Sequence, residues 1–208
     1  MYFNTYSIKV NSLSYKYSNT YVIKDISFSI RNGDILVIKG PNGSGKSTLL
    51  SLILGYLVPF KGTVTFNKKE SFFKNKAYYL SNLLYINVYS ILDKHLTVKE
   101  NIEFWSKYYG YFFFIKAALF QSNIQGLYTR EINTLSTGQE RKANITQIFF
   151  GNSPIWILDE PFIALDKKYR SILLNNIKMH RKMGGIVIIT SHLDFYIPKA
   201  KYLLLDSQ

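Results

Sequence analysis

The sequence lacks several features on which common kinds of functional site depend. None of its 208 residues is cysteine, which excludes disulfides, thiolate metal sites and cysteine nucleophiles. It has only three histidines, His95, His180 and His192, so we expect no histidine metal cluster. No run of about 18 apolar residues occurs, and the sequence therefore predicts no membrane-spanning helix. The opening residues, MYFNTYSIKV, carry neither the apolar core of a signal peptide nor an arginine-rich transit pattern. We therefore expect the protein to stay where it is made or to have its targeting signal elsewhere.

Acidic residues are scarce relative to basic ones. The chain has 13 Asp and Glu against 26 Lys and Arg, a net charge of +13. Such a charge suits nucleic acid, an anionic membrane surface or the phosphates of a nucleotide. The chain is also rich in Lys, Asn, Ile, Tyr and Phe, the residues of A/T-rich codons, which explains much of the charge as compositional drift. We therefore expect no specific nucleic-acid partner.

The hydrophobic pattern predicts an α/β protein. Residues 6–17 and 21–30 alternate between apolar and polar, as half-buried antiparallel strands do. Further strands are expected at 35–39, 62–67, within 78–86, at 155–158, 186–190 and 202–205, and helices at 46–55, 97–125, 137–150 and 166–183. Thr97 followed by Glu100 forms a capping-box pattern at the start of one helix. Strands that alternate with helices predict a parallel sheet with crossover connections.

A glycine-rich segment, the phosphate loop (residues 40–47), lies between a predicted strand and a predicted helix. Its sequence GPNGSGKS matches the pattern G-x-x-x-x-G-K-[ST]. Small residues let backbone N–H groups surround phosphate oxygens, and the following helix points its positive end at the same anion. The alternative, a chance glycine-rich turn, does not require this strand-to-helix context. The predicted nucleotide-binding residues here are Gly40, Pro41, Asn42, Gly43, Ser44, Gly45, Lys46, Ser47 and Thr48.

Three further polar side chains follow buried strands. Asp159 and Glu160 end the apolar run 155–158, and His192 follows the run 186–190. Parallel sheets present ligand sites at the carboxyl ends of their strands. We expect Asp159 and Ser47 to hold Mg²⁺, and Lys46, Glu160 and His192 to be catalytic toward the γ-phosphate of ATP. An ordinary strand-end acid pair and a surface histidine are the alternatives.

Small residues also occupy the predicted start of a second helix, and their sequence resembles the signature of one particular family. The signature segment, Leu135–Gln139, reads LSTGQ and resembles the LSGGQ signature of ABC transporter ATP-binding subunits, with Thr137 in place of a glycine. The order of motifs agrees over essentially the whole chain. Ala164–Asp166 resembles the family's loop that contacts the partner subunit, and Tyr17 stands where its adenine-stacking aromatic lies, or is a plain strand tyrosine.

This resemblance implies an ABC-type ATPase of the P-loop NTPase fold. It implies a mixed or parallel sheet core, an N-terminal antiparallel β part and a helical signature subdomain. We expect a single ABC ATPase domain over 1–208, with a core of about 1–86 and 151–208 and a helical subdomain at 87–150. The resemblance also implies a head-to-tail homodimer with ATP at its interface, in which Ser136, Gly138 and Gln139 serve the ATP of the opposite subunit.

One position departs from the family pattern. The family's glutamine should lie nine residues before Thr97, and Val88 occupies that position. Valine cannot ligate a metal, so either Asn87 substitutes or the coupling to a membrane partner works differently.

The sequence in and between the motifs resembles that of one subgroup, the ATPase subunits of cytochrome c maturation systems, which are also called heme export systems. The matching stretches are PIWILDEPF at 154–162, GQERK at 138–142, Gly126–Leu127 and GGIVI at 184–188. This resemblance implies an integral membrane subunit and cytochrome c maturation proteins as partners. It implies a peripheral location on the inner membrane, on the mitochondrial matrix side or on the cytoplasmic face of an A/T-rich bacterium.

An ABC ATPase that drives the transport of another membrane cargo remains as an alternative, and so do two other kinds of ABC protein. A soluble ABC ATPase acting on ribosomes or DNA usually carries two cassettes or long coiled coils, which this chain lacks. A degenerate module that binds ATP without hydrolysing it is favoured by Val88, Thr137 and the drifted composition. It is opposed by the intact residues Lys46, Asp159, Glu160 and His192. The aromatic residues Phe112–Phe114 are either a docking surface for a membrane partner or simple helical core.

Overall fold

The computed structural model describes residues 4–67, 76–108, 115–149 and 153–206. The chain forms two compact units. The first is drawn from residues 1–85, 153–160 and 179–208, and the second from residues 86–152 and 161–178. The aromatic residues Phe112–Phe114 lie outside the described residues.

The first unit is built on a five-stranded sheet of order β5-β6-β7-β3-β8. Its strands are β3 (Ile35–Lys39), β5 (Leu83–Ile86), β6 (Ile155–Leu158), β7 (Ile186–Ser191) and β8 (Lys201–Leu204). The pairs β6–β7, β7–β3 and β3–β8 are parallel. Every residue of β6 and β7 is buried. Apolar runs of this kind form strands that are covered on both faces, as the sequence pattern predicts.

A second, antiparallel sheet of the same unit has the order β2-β1-β4. It contains β1 (Ser7–Tyr17), β2 (Thr20–Arg31) and β4 (Lys61–Phe66), and the unit also holds the helices α1 (Lys46–Ile53) and α2 (Lys76–Ser81). One apolar core joins these elements to the parallel sheet, and its members include Ile8, Leu13, Ile23, Ile38, Leu49, Ile53, Ile157 and Ile188. The predicted antiparallel β part and parallel sheet are both confirmed.

The second unit is mainly helical. It contains α3 (Val98–Tyr108), α4 (Ile115–Gln121) and α5 (Thr137–Ile145), packed through an apolar cluster that includes Val98, Ile102, Leu119, Ile132 and Ala143. Glu100 accepts hydrogen bonds from the main-chain N–H and the hydroxyl of Thr97, at 2.8 and 2.7 Å, and its own N–H donates back to that hydroxyl. The predicted capping box is therefore confirmed. A last helix, α6 (Lys167–Lys182), ends before Gly184, whose φ of +89° is readily adopted only by glycine.

Two predicted helices differ from the structure. The helical pattern expected over 97–125 corresponds to α3 and α4, and the described chain leaves the helical conformation before residue 125, since α4 ends at Gln121 and Asn123 takes a left-handed φ of +51°. The helix expected at 137–150 is α-helical only to Ile145, after which Thr146–Phe149 form a 3₁₀ turn. A left-handed residue reverses the chain locally and cannot continue a right-handed helix. Within the described residues, no helix is long and apolar enough to cross a membrane.

Candidate active site

The phosphate loop connects β3 to α1, as its sequence pattern predicts. Gly45 has a φ of +89°, and a Cβ on it would lie 2.8 Å from the carbonyl oxygen of Val22. A Cβ on Gly40 would collide with the main-chain oxygen of Leu205 and with Ser44. Both positions therefore require glycine for steric reasons. No side chain caps α1, so the N–H groups of its first turn are left for an anion.

Lys46 and Ser44 give the loop its polar interior. The Lys46 side chain is only 7% exposed, and its ammonium group donates to the carbonyl oxygens of Gly40 and Pro41 at 2.8 and 3.0 Å. The Ser44 hydroxyl is buried and has no hydrogen-bond partner among the described residues. A buried cation beside an unsatisfied hydroxyl and free helix amides suits a phosphate group. These residues therefore fit the phosphates of a nucleotide.

Ser47 and Asp159 meet across the carboxyl edge of the parallel sheet. The Ser47 hydroxyl donates to Oδ2 of Asp159 at 3.3 Å. The Asp159 carboxylate is buried, and its Oδ1 accepts a hydrogen bond from the Thr190 hydroxyl. Hydroxyl and carboxylate oxygens are ligands that Mg²⁺ accepts. The pair therefore fits a magnesium ion bound next to the phosphate loop.

Glu160 is the point at which the other charged side chains converge. Its Oε1 lies 3.0 Å from Nδ1 of His192 and 3.4 Å from Nζ of Lys46. Its Oε2 accepts from the main-chain N–H of His192 at 3.3 Å. Its backbone has a φ of +46°, which is strained for a residue with a side chain. Strain of this kind persists where the surroundings hold a residue in place, and it is common at functional sites.

Thr190 is a site residue that the sequence reasoning missed. Its hydroxyl donates to the carboxylate of Asp159 and accepts the main-chain N–H of Glu160 at 2.9 Å. It is fully buried at the end of β7. A signal for it was present, because a polar residue ends an otherwise apolar strand two positions before His192. One hydroxyl thus fixes both acids that follow the neighbouring strand.

Tyr17 lies at the end of β1 and is 74% exposed. On the same hairpin, Tyr21 meets the ring of Phe60, which precedes β4, edge to face at 6.2 Å. Lys16 lies over these two rings at 4.4 and 4.6 Å. Val22 of this hairpin contacts the phosphate loop at Gly45. The hairpin therefore approaches the loop next to Tyr21, and the stacking of adenine on Tyr17 stays a prediction.

The signature segment lies in the second unit, at the start of α5. The Ser136 hydroxyl accepts the N–H of Gln139 at 3.3 Å, and Oε1 of Gln139 accepts the N–H of Ser136 at 3.0 Å. This reciprocal pair is a capping box. A Cβ on Gly138 would lie 2.8 Å from the carbonyl oxygen of Ala164, which has a left-handed φ of +60°. Glycine at 138 is therefore required by a close approach to the segment that contains Ala164.

The segment around Val88 takes part in main-chain contacts. The side-chain oxygen of Asn87 accepts the N–H of Tyr89 at 3.2 Å, which forms a local turn. The carbonyl oxygens of Asn87 and Val88 both accept from Nη1 of Arg141 in α5. The side-chain oxygen of Asn87 thus accepts a hydrogen bond within its own segment.

The chain resembles known proteins in sequence and in fold. A family model described as ABC transporter matches residues 23–163. The chain is 33% identical over 175 residues to a cytochrome c biogenesis ATP-binding export protein of Reclinomonas americana, and the match covers 82% of this chain and 78% of the relative. A putative ABC transporter ATP-binding protein from Pyrococcus furiosus has a TM-score of 0.81 at 27% identity, covering 96% of this chain and 97% of that one.

A bacterial ABC transporter cassette whose structure was solved as a dimer has the same fold, with a TM-score of 0.78 at 23% identity and coverage of 96% and 94%. The family match alone spans more than half of the 208 residues and includes the phosphate loop, the signature segment and both strand-end acids. This chain therefore belongs to the ABC transporter family and is an ATP-hydrolysing subunit of that family.

Proposed function

We propose that the chain hydrolyses ATP to drive a membrane transporter for cytochrome c maturation, in the export of heme. The observation that carries the proposal is the convergence of Lys46 and His192 on the Glu160 carboxylate, beside the phosphate loop. A module that bound ATP without hydrolysing it would need Lys46, but it would not need Glu160 held beside His192. The resemblance to an export protein of cytochrome c biogenesis supports the choice of cargo.

The phosphate loop would bind the β- and γ-phosphates of ATP. Lys46 would turn its ammonium group from the carbonyl oxygens of Gly40 and Pro41 to the phosphate oxygens, which carry a full negative charge and are stronger acceptors. The Ser44 hydroxyl and the first-turn amides of α1 would donate to the same oxygens. These donors would neutralise the charge that shifts to the leaving ADP in the transition state.

Ser47 and Asp159 would hold a magnesium ion. A magnesium ion held there would supply positive charge next to the phosphate groups. The Ser47 hydroxyl would offer one oxygen, and the Asp159 carboxylate, kept in place by Thr190, would offer or orient another.

Glu160 would orient the attacking water. Its carboxylate would accept a proton of that water, whose oxygen attacks the γ-phosphorus in line as the bond to the ADP oxygen breaks. His192, whose Nδ1 is 3.0 Å from Glu160, would hold the carboxylate and hydrogen-bond to the γ-phosphate. Thr190 would keep the strained main chain of Glu160 in its conformation.

The signature segment would serve an ATP bound by a second copy of the chain. Ser136, Gly138 and Gln139 form the first turn of a helix, which is a favourable place for an anion. We propose a head-to-tail dimer in which each copy completes the other's site. A cassette with the same fold has been solved as a dimer, in agreement with this assembly.

The dimer would sit on an integral membrane subunit, together with other cytochrome c maturation proteins. We place it peripherally on the inner membrane, on the mitochondrial matrix side, with the cytoplasmic face of a bacterial inner membrane as the alternative. The relative from Reclinomonas americana and the A/T-rich composition support this placement.

The ATPase proposal is tested by Glu160→Gln. Loss of the carboxylate charge should lower kcat by roughly 100-fold or more, because a positioned general base contributes about that much. The matched control is Glu103→Gln in α3, where a partly exposed glutamate pairs with Lys99 in the second unit, and it should keep wild-type turnover. Phosphate release under saturating ATP is the measurement. Unchanged turnover in Glu160→Gln would refute the assignment of this residue.

The transport proposal is tested by purifying the tagged chain from its native membranes. Proteins of cytochrome c maturation should co-purify with it, and their yield should fall when detergent separates the membrane subunit. Co-purification with a permease for sugars or peptides would contradict the proposal, even if ATP hydrolysis is confirmed.

A further inference from the structure

The helix α5 makes two sets of contacts within the second unit, from two neighbouring faces. Gly138 and Lys142 are four residues apart and therefore share one face. Gly138 approaches the carbonyl oxygen of Ala164, and the Lys142 ammonium group forms an ion pair with Asp166. This hydrogen bond lowers the pKa of Asp166 below its usual value. One face of α5 is thus attached to the segment 164–166.

The other face carries Arg141, whose contacts lead in a different direction. Its Nη1 donates to the main-chain oxygens of Asn87 at 2.6 Å and Val88 at 3.1 Å. The side chain is 7% exposed. Thr137 lies one turn earlier on the same face, and it borders a half-open cavity of about 280 Å³ together with Arg141 and residues 88–90. The first turn of the signature helix and residues 88–90 therefore line one cavity, and Arg141 connects α5 to the start of that segment.

The chemistry of this link is independent of the side chains at positions 87 and 88. A guanidinium group is always charged and presents its donors in a rigid plane, so it can hold two neighbouring carbonyl oxygens in a fixed arrangement. Hydrogen bonds from a charged donor are shorter and stronger than neutral ones. Because these two hydrogen bonds go to main-chain oxygens, Val88 in place of glutamine leaves them intact.

We propose that Arg141 is a positioning residue that makes the segment 87–88 and the first turn of α5 move together during ATP hydrolysis. This inference rests on the proposed function, in which that turn serves the ATP of the second copy. A displacement of the segment 87–88 would move the signature helix, and a nucleotide at the signature segment would hold the segment 87–88. Arg141 acts through these elements and touches neither nucleotide nor metal in this role.

The first test separates turnover from binding in Arg141→Met. This variant keeps the aliphatic length and removes the donors. We expect kcat to fall roughly tenfold, which corresponds to about 1.4 kcal/mol, while the affinity of the Lys46 site for a fluorescent ATP analogue stays at the wild-type value. Lys99→Met, on the exposed surface of α3, is the matched control and should change neither quantity. Wild-type turnover in a folded Arg141→Met protein would overturn the proposal.

The second test observes the link in the full chain without nucleotide. Hydrogen exchange of the amides of residues 87–90 should become faster in Arg141→Met, while those of α3 and the strand β7 keep their wild-type rates. Faster exchange throughout α3 and α5 would show a general structural role and would also overturn the proposal. This readout does not depend on hydrolysis, so an inactive wild type would refute the proposed function and leave the link testable.

A third variant covers the case in which Arg141→Met does not fold. Arg141→Lys keeps the charge but loses the planar donors, so its turnover should fall below the wild-type value by up to about tenfold, with unchanged ATP affinity. Wild-type turnover in Arg141→Lys, when Arg141→Met does not fold, would overturn the proposal.

Discussion

At the scale of single residues, a few hydrogen bonds hold the acids of the site in strained but defined positions. Glu160 keeps a left-handed φ because its N–H donates to Thr190 and its carboxylate contacts His192 and Lys46. The fixed orientation of a carboxylate at a sheet edge is what in-line attack by water requires. The buried Thr190 hydroxyl is therefore as important to the geometry as the charged residues it contacts.

Thr190→Val removes that hydroxyl and keeps the branched shape of the side chain. We expect kcat to fall by roughly 10-fold to 100-fold, since a buried hydrogen bond to a charged group is worth about 1.5–3 kcal/mol. Steady-state ATPase assays with circular dichroism as a check of folding are the measurement. Thr190→Ser, which retains the hydroxyl, should recover most of the activity. Equal turnover in the valine and serine variants would show that the hydroxyl has no role in catalysis.

At the scale of elements, the end of α6 is joined to the parallel sheet by a buried histidine. The His180 ring stacks on Trp156 at 3.8 Å with an interplanar angle of 11°, and its Nε2 is 3.2 Å from the carbonyl oxygen of Pro154. A Cβ on Gly185 would collide with this ring, so glycine is required where the chain turns from α6 into β7. This packing fixes the start of β7. It therefore also fixes the positions of Thr190 near the end of that strand and of His192 after it.

Burial lowers the pKa of His180 from 6.5 to about 4. Between these values the unfolded chain binds a proton at this residue and the folded chain does not, so stability falls as the pH falls from about 6.5 to 4. From pH 7 to pH 5 the loss from His180 is roughly 2 kcal/mol. Urea unfolding at both pH values measures it.

The control for this prediction separates His180 from the other titrating groups. His180→Phe, which retains an aromatic ring against Trp156, should lose less stability between pH 7 and pH 5 than the wild type. His95→Gln changes an exposed histidine and should retain the wild-type dependence on pH. An equal loss in the wild type and His180→Phe would contradict the prediction.

At the scale of the whole molecule, the chain carries two anion sites at helix starts in two different compact units. The phosphate loop precedes α1 in the first unit, and the signature segment begins α5 in the second. In the proposed dimer, these sites of two copies enclose the same ATP. Assembly and hydrolysis would then depend on each other, because hydrolysis removes the ligand that joins the copies.

Glu160→Gln should therefore trap the dimer. With hydrolysis blocked and Mg-ATP saturating, light scattering after size-exclusion chromatography should show a doubled mass, and the mass should return to that of one chain without nucleotide. Lys46→Ala in the same background loses the cation that binds phosphate and should remain a single chain. A Glu160→Gln protein that binds ATP and still runs as one chain would argue strongly against the head-to-tail dimer.

Much of the fold and the site could be predicted from the order of residues, for reasons of local chemistry. The apolar runs before Asp159 and His192 are typical of buried strands with polar ends. The glycine-rich loop before Lys46 is typical of a phosphate-binding site. The capping box at Thr97 follows from side-chain reach alone. The end of α4 could not be predicted, because the helical pattern continues to residue 125 while Asn123 takes a left-handed conformation that periodicity does not reveal.

By itself, the sequence determined the chemistry of this protein: which residues form the phosphate loop, which acids follow the strands, and which family it belongs to. These features depend on spacing along the chain, which is visible in a single sequence. Only the tertiary structure decided which groups hold them in place. Thr190 reaches two acids from the next strand, and Arg141 reaches two carbonyl oxygens more than fifty residues away. Such contacts join residues that are distant in sequence, and they arise only when the packed sheet and helices bring them within hydrogen-bonding distance.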